Sequence, residues 1–473
     1  MISKTPTSKF KLDYRTGFRP FQALSIDYSR SEMTDMRHSR WVKLFSDPGE
    51  RIAITQNLST NFTPTLFSWL TNSLRYSTDF SWNNNLSTKE RGTSQNARVQ
   101  TNFQFTGQFN PKNFMQIFKK SSGRQGRIRR PATQPDKKSE EKTERKKSFP
   151  LLFIFSWMGN LIQKIDPVSV DIGETKSANH AGVQGIPTFA YQMGTSINDP
   201  GVDISPNVTE PAVISKERRF SVRSGFTITS RISANLDYKI TDAENRAAQT
   251  TGTFSKSTLL WKNKDFPFPN WSLQWRGLEK LPLLSQIVKS ASLNHAFLGE
   301  RQDMWSETRS SITRENVSRS FRPLVGLSLT FKNDLSATMQ YNTLESLEKQ
   351  KSGYNLGTTR KITSDISITA QYKKRGGIRL PFLKGKKLEN TIDFSLAYNN
   401  HREVIYLNKG ISAGSDNITK GKNWSLKPEI SYSFTNTLRG GMYLEVKKRE
   451  DKKLGMTTVT DFGLNVVISL TGS

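Results

Sequence analysis

Between Phe220 and Ile240 the apolar residues Phe220, Val222, Phe226, Ile228, Ile232, Ala234, Leu236, Tyr238 and Ile240 share one parity, and every residue of the other parity is polar, charged or glycine. Successive side chains of a strand point to opposite faces, so this row predicts one long extended strand with a dry side and a wet side. On a helix the same residues would scatter around the axis. At roughly 3.3 Å per residue and a tilt near 45°, such a strand outruns the ~25 Å apolar band of an outer-membrane barrel. Strands of soluble sandwiches usually stop at about five or six residues.

The pattern recurs along the chain. Ile52, Ile54, Leu58 and Phe62 share a register, as do Leu66, Leu70, Leu74, Tyr76, Phe80 and Trp82, and then Val99, Phe103, Phe105 and Phe109. Val325, Leu327, Leu329 and Phe331 run through Lys332-Asn333-Asp334 into Leu335, Ala337, Met339 and Tyr341, which predicts a hairpin. Further rows are Ile362 to Tyr372, Leu388 to Tyr398, Trp424 to Phe434, Met442 to Val446 and Phe462 to Leu470. Many end on an aromatic, as at Tyr28, Tyr238, Tyr341 and Tyr372. Tyrosine favours the headgroup level of a bilayer, so these positions predict a membrane girdle, although tyrosine is also a good strand residue.

Two stretches break the rows. From Lys119 to Lys147 the chain is Lys, Arg, Ser, Glu, Gln and Pro with almost nothing to bury, which predicts a disordered loop. Leu151 to Ile162 is the most apolar window, too short to span a bilayer as a helix and suited to packing against a barrel wall or end. Gly173 to Pro211, rich in Gly, Pro, Asn and Ser, reads as a long loop. The resulting partition is barrel strands over 1–118, a basic disordered loop over 119–149, the apolar segment and Gly/Pro-rich loop over 150–215, and long barrel strands over 216–262. A Pro-Asn-Trp insert over 263–320 and C-terminal barrel strands over 321–473 complete it.

Composition narrows the class. The chain has 473 residues, 34% of them hydrophobic, and a mean hydropathy of −0.60, with no run of eighteen apolar residues. Helical membrane proteins are thereby excluded, whereas a barrel is not, because only alternate strand residues meet lipid. The absence of cysteine removes disulfide frameworks and thiolate metal sites. Met1 to Pro6 leads into polar residues and lacks the apolar core of a secretory signal. The chain is therefore expected to be the C-terminal piece of a longer polypeptide, or the product of a truncated gene reading; otherwise it is cytoplasmic.

Chemistry is sparse. His38, His180, His295 and His401 stand apart without metal-site spacing, and no nucleophile elbow, phosphate-binding glycine loop or dinucleotide fingerprint occurs. No enzyme, cofactor or metal is expected. The formal charge of +29 with interleaved aromatics raises nucleic-acid binding. No RNP-like or zinc-finger signature accompanies it, and basic clusters such as Lys384-Gly385-Lys386-Lys387 and Lys447-Lys448-Arg449 read as turns that could meet anionic headgroups. No nucleic-acid partner is expected.

Phe268-Pro269-Asn270-Trp271-Ser272-Leu273-Gln274-Trp275-Arg276-Gly277-Leu278-Glu279-Lys280-Leu281-Pro282, followed by Lys289 to His295, resembles the C-terminal region of the SprA/Sov family, the outer-membrane translocons of type IX secretion in Bacteroidota, also tied to gliding motility. Glu50 to Leu58, Phe109-Asn110-Pro111, Arg379-Leu380-Pro381-Phe382 and Asp461 to Leu464 agree in order. The resemblance implies a transmembrane antiparallel β-barrel segment, part of a very large barrel of about thirty-six strands with long polar loops, through whose lumen folded cargo passes. It implies as partners outer-membrane lipid, secreted cargo, a PorV-like shuttle, a periplasmic plug and the rest of the translocon chain. Its motif residues are Pro269, Asn270, Trp271, Trp275, Gly277, Leu278, Pro282, Asn294 and His295, expected to fix a packed turn or inward-folded segment rather than to touch cargo. The alternatives are a smaller outer-membrane porin or receptor barrel that closes within these residues, and a soluble basic β protein that binds polyanions.

Overall fold

The structure is a computed structural model that describes residues 9–36, 49–85, 95–121, 163–208, 210–261, 264–352, 356–376, 378–379, 387–388, 390–408, 417–435, 437–451 and 455–469. Its strands are β1 (Lys9–Phe21), β2 (Leu24–Asp35), β3 (Glu50–Phe62), β4 (Leu70–Asn84), β5 (Gln95–Phe109), β6 (Val168–Ala181) and β7 (Val213–Thr229). Next come β8 (Ile232–Arg246), β9 (Thr250–Trp261), β10 (Lys264–Pro267), β11 (Asn270–Arg276), β12 (Val288–Ser306), β13 (Ile312–Phe331), β14 (Leu335–Gln350) and β15 (Gly357–Arg375). A small hairpin of β16 (Ile378–Arg379) and β17 (Lys387–Leu388) precedes β18 (Thr391–Asn408), β19 (Asn417–Ser433), β20 (Leu438–Asp451) and β21 (Gly455–Ile468).

All strands but β16 and β17 join one nineteen-stranded antiparallel sheet. Chain order is nearly spatial order, because connections of a few residues reach only an antiparallel neighbour. The all-β expectation is met. Among the described residues the longest helix is α1 (Pro111–Ser121), and no helix is long and apolar enough to cross a membrane. Among the described residues β1 pairs only with β2, and β21 only with β20, so the described sheet has two edges.

Several boundaries differ from those read in the sequence. Phe220 to Ile240 is a hairpin, β7 and β8, rather than one strand. A two-residue turn normally reverses the parity of a row. Here the register shifts by one residue between Thr227 and Thr229, so the row continues unbroken through the turn. Residues 173–181 belong to β6 and not to a loop, and β11, β12 and the first half of β13 run as wall strands through 264–320. Lys447-Lys448-Arg449 lies inside β20, because the alternation of β20 continues past the turn-like charge run. The hairpin through Lys332-Asn333-Asp334 is present, with Leu329 opposite Ala337. Residues 119–121, the start of the run read as a loop, complete α1. The segments 122–147 and Leu151 to Ile162, and most of Lys384 to Lys387, lie outside the described residues.

Over one part of the sheet a second layer forms. The connection from β6 to β7 carries a single helical turn, Phe189–Gln192, and lays Val183, Tyr191 and Ile197 on Ile54, Phe80, Trp82, Ala97, Val99 and Ala178. Tyr191 is fully buried, edge-on to Phe80, and burial pushes its phenol well above the ordinary tyrosine range. His180 Nε2 lies 3.2 Å from the Asn198 carbonyl, which can only accept, so Nδ1 of the neutral ring accepts from the Tyr191 hydroxyl at 3.0 Å. Tyr76 and Thr78 hydroxyls both donate to the Met193 carbonyl, and the Trp82 indole donates to the Gly185 carbonyl. His180 is thus a satisfied structural side chain of this layer.

Candidate functional site: an uncovered apolar face and a split strand position

Beyond that layer, and apart from the hairpin that β10 forms with the end of β9, the described sheet is one strand thick. Register fixes its faces. Leu335, Tyr372, Phe394, Ile430, Met442 and Leu464 stand opposite one another across six consecutive strands. Ser336, Gln371, Ser395 and Glu429 form the matching row on the other face. Met442 is 49% exposed and Leu464 70%, and Leu396, two residues past Phe394 on the same face, 41%, so among the described residues nothing covers this part of the face, although Ile392 at its rim is buried. Monomeric soluble proteins rarely leave an apolar patch of more than a few hundred Å² open to water.

The apolar rows occupy only part of each strand. On β8 they run from Ile232 to Ile240, roughly 26 Å along the strand. Past that band the same face turns charged, and most charges there are paired. Glu174 receives Lys176 at 2.7 Å, Arg218 at 2.9 Å and Lys216 at 3.4 Å. Glu345 receives Arg319 and Arg360, each at 2.6 Å. Tyr28, Tyr238, Tyr341 and Tyr398 stand at this border, whereas Tyr372 stands at the opposite rim beside the turn after β15.

The block from Pro269 to His295 builds the one irregular position in the wall. Between β8 and β12 a single strand position is shared end to end: β9 fills one half, with Ile240 opposite Lys256 and Glu300 opposite Ser257. β11 fills the other, with Asp237 opposite Asn270 and Phe297 opposite Trp271. The end of β9 and β10 form a hairpin that leaves the sheet on the apolar side, where Asp265 meets Arg301 at 2.8 Å and Lys256 at 3.1 Å. Gly299 is required at the crossing, because a Cβ there would stand 1.8 Å from the Thr258 carbonyl oxygen.

A split strand interrupts the ladder, and side chains repair it. The Gly299 N–H donates to Asn270 Oδ1 at 2.8 Å, and the Lys239 N–H donates to Ser257 Oγ at 3.0 Å. Asn270 Nδ2 donates to the same Ser257 oxygen at 3.3 Å. Buried backbone groups left without partners cost about 1–3 kcal/mol each. Asn270→Leu is therefore expected to lower stability by roughly 1–3 kcal/mol, measured by urea unfolding in lipid vesicles, while Asn235→Leu, on the exposed polar face of β8, shifts it by less than about 0.5 kcal/mol. Equal shifts would remove the repair role.

The motif residues divide into two groups. Trp271 stacks on Phe297 at 4.1 Å and 19°, with His295 and Phe321 completing the cluster. His295 Nδ1 lies 2.8 Å from the Leu324 carbonyl. Trp275 packs with buried Leu278, Val288 and Ala291 at the turn. Gly277, at φ 79°, enters the 3-10 turn Leu278–Lys280, and Pro282 lies in the turn that follows, its carbonyl accepting from Ser285. The Glu279 carboxyl accepts the Ala291 N–H at 3.0 Å, and that backbone donor holds its pKa below the usual carboxylate range. Pro269 immediately precedes β11, and Asn294 stands apart on the polar face opposite Gln274. Sequence reasoning missed Ser257, Phe297, Gly299 and Phe321, whose partners become visible only through register.

Among the described residues no three His, Asp or Glu side chains form a metal-binding group. His401 pairs with Asp365 on the polar face, and His38 lies outside the described residues.

No family model matches the chain, and no curated protein matches it. Among solved structures it is similar to a bacterial polysaccharide outer membrane secretin, with 6% identity, a TM-score of 0.25, and coverage of 89% of this chain and 91% of that one. A ferric enterobactin receptor mutant from Pseudomonas aeruginosa aligns at 6% identity and a TM-score of 0.30, covering 93% and 72%. The FrpB iron transporter from Neisseria meningitidis aligns at 8% identity and a TM-score of 0.24, covering 97% and 72%. TM-scores this low carry nothing about what this chain does.

Proposed function

We propose that the chain is a lipid-embedded wall segment of an outer-membrane protein-conducting channel of the SprA/Sov kind, serving type IX secretion and gliding motility. One observation carries the reading: outside the layer laid on β3 to β6, the nineteen-stranded sheet bears an exposed apolar band on one face and Ser, Thr, Asn and Gln on the other. In lipid an antiparallel wall satisfies its backbone groups between neighbouring strands, with further wall strands taking up the two edges, and the polar face offers water and cargo a wet path. The wall is passive; energy comes from partners. Lipid, secreted cargo, a PorV-like shuttle, a plug and further wall strands are the partners this reading assigns.

The two edges among the described residues favour a segment of a larger wall over a porin or receptor that closes within these residues, since closure would pair β1 with β21. The exposed row of Leu396, Met442 and Leu464 counts against a soluble polyanion-binding protein.

The absence of cysteine makes a direct test simple. Single cysteines at residues 392 to 398 of β18, labelled with an environment-sensitive fluorophore after reconstitution in vesicles, should alternate. Emission is expected to be blue-shifted at Phe394, Leu396 and Tyr398 and water-like at Asp393, Ser395 and Ala397, with Ile392, buried within the protein, left out of the comparison. Uniform emission along the strand would sink the reading.

A further inference from the structure

Charges past the apolar band are mostly neutralised by neighbours, but one patch is not. On β18, β19 and β20 the apolar rows finish at Tyr398, Trp424 and Val446. Past them on the same face come Asn400 and Arg402 on β18, with Val404 beyond, then Lys422 and Lys420 on β19, and Lys448 on β20. Arg402 stands directly opposite Lys422, and Trp424 directly opposite Lys448. Like charges facing each other across a strand pair destabilise the sheet. Glu450, opposite Lys422, is the sole carboxylate on this face of the patch among the described residues. Glu403, Glu429 and Glu445 point to the other face and are taken by Lys361, Lys427 and Lys447. Among the described residues none of the four cations has an ion-pair partner.

We infer that Arg402, Lys420, Lys422 and Lys448 bind the phosphate of a membrane-lipid headgroup, with Trp424 marking the interface beneath it. The inference rests on the wall reading, which puts the apolar rows of β18 to β20 in hydrocarbon and this patch at headgroup height. A guanidinium and three ammonium groups that repel one another when empty are drawn together by an anion with several acceptor oxygens. A tryptophan between apolar rows and cations suits the same level, its ring half dry. The phosphate is the lipid's rather than free in solution, because its acyl chains would lie along Leu426, Tyr398 and Val446, the apolar row directly below.

The test uses the full chain reconstituted in phosphatidylcholine nanodiscs doped with phosphatidic acid, with retained lipid read by native mass spectrometry. The unaltered chain is expected to retain phosphatidic acid. Lys420→Gln with Lys448→Gln should lower that retention roughly 25-fold, about fivefold per basic residue at an anionic surface. Lys427→Gln with Lys447→Gln removes the same charge from the same two strands on the opposite face and should change retention less than about twofold. Equal loss in the two pairs would overturn the site, and displacement of the lipid by equimolar inorganic phosphate would reassign it to free anions. Insertion without selective retention discards the site and leaves the wall standing; failure to insert discards both.

Discussion

Leu396→Arg should cost roughly 2–4 kcal/mol of stability in a bilayer and impair assembly, while Ser395→Arg, one residue away, should change stability by less than about 0.5 kcal/mol. Leu396 lies midway along the apolar row of β18, opposite Ala370 on one side and Pro428 on the other. A guanidinium there must enter hydrocarbon or drag water with it. Ser395 faces the other way, opposite Gln371 and Glu429, where a cation meets water and a carboxylate. Urea unfolding of the two variants in vesicles, with the fraction inserted measured by protease protection, reads the difference. Ile228 is a weaker site for the same experiment than its place in the sequence row implies. The structure puts it one residue before the turn that begins at Thr229, at the rim of the band, where an arginine costs only about 0–1 kcal/mol. If Ser395→Arg proved as damaging as Leu396→Arg, the apolar face would not be the lipid face.

Phe297→Ala should be the most destabilising truncation in the wall, by about 3–5 kcal/mol. Its side chain is fully buried although the surrounding face is open, because Trp271 stacks on it and Phe321 leans against it at 5.2 Å. Removing the ring leaves a void at the place where the strand position passes from β9 to β11 and the ladder depends on Asn270 and Ser257. Ring contact beyond area burial contributes about 0.5–1.5 kcal/mol of the total. Leu298→Ala, at the next residue and 49% exposed, should cost less than about 1 kcal/mol. A double-mutant cycle of Phe297→Ala with Trp271→Ala isolates the stack, since residues in contact are coupled by about 0.5–3 kcal/mol. Additive effects would mean that the split strand is held by its hydrogen bonds alone.

The resemblance block gains a physical meaning from this position. Trp271 and His295 sit on one cluster, Trp275, Leu278 and Pro282 at the adjoining turn, and Asn270 at the seam between them. These residue types fit a place where one strand ends within the wall and another resumes: an amide that both donates and accepts, and flat rings that fill the step. Asn294 has no part in that packing and faces the polar side.

The sequence by itself determined the class and the faces. Period-two rows from Ile52 to Ile468 state which residues share a side, and the absence of long apolar runs leaves strands as the only elements able to carry them. That information is local, because alternation depends on the pleat of one chain segment. What tertiary structure alone decided depends on which strand lies beside which. The turn at Ser230-Arg231 was hidden because a bulge restored the parity that the turn would have reversed. The sharing of one strand position by β9 and β11 is invisible to a pattern of period two, which records facing but not pairing. The same holds for the unneutralised patch of Arg402, Lys420, Lys422 and Lys448: its members lie on three strands, and only register shows that they face one another and that the nearby carboxylates face away. Side-chain direction is set within a few residues of backbone, whereas partners are set by the closure of hairpins across the whole sheet.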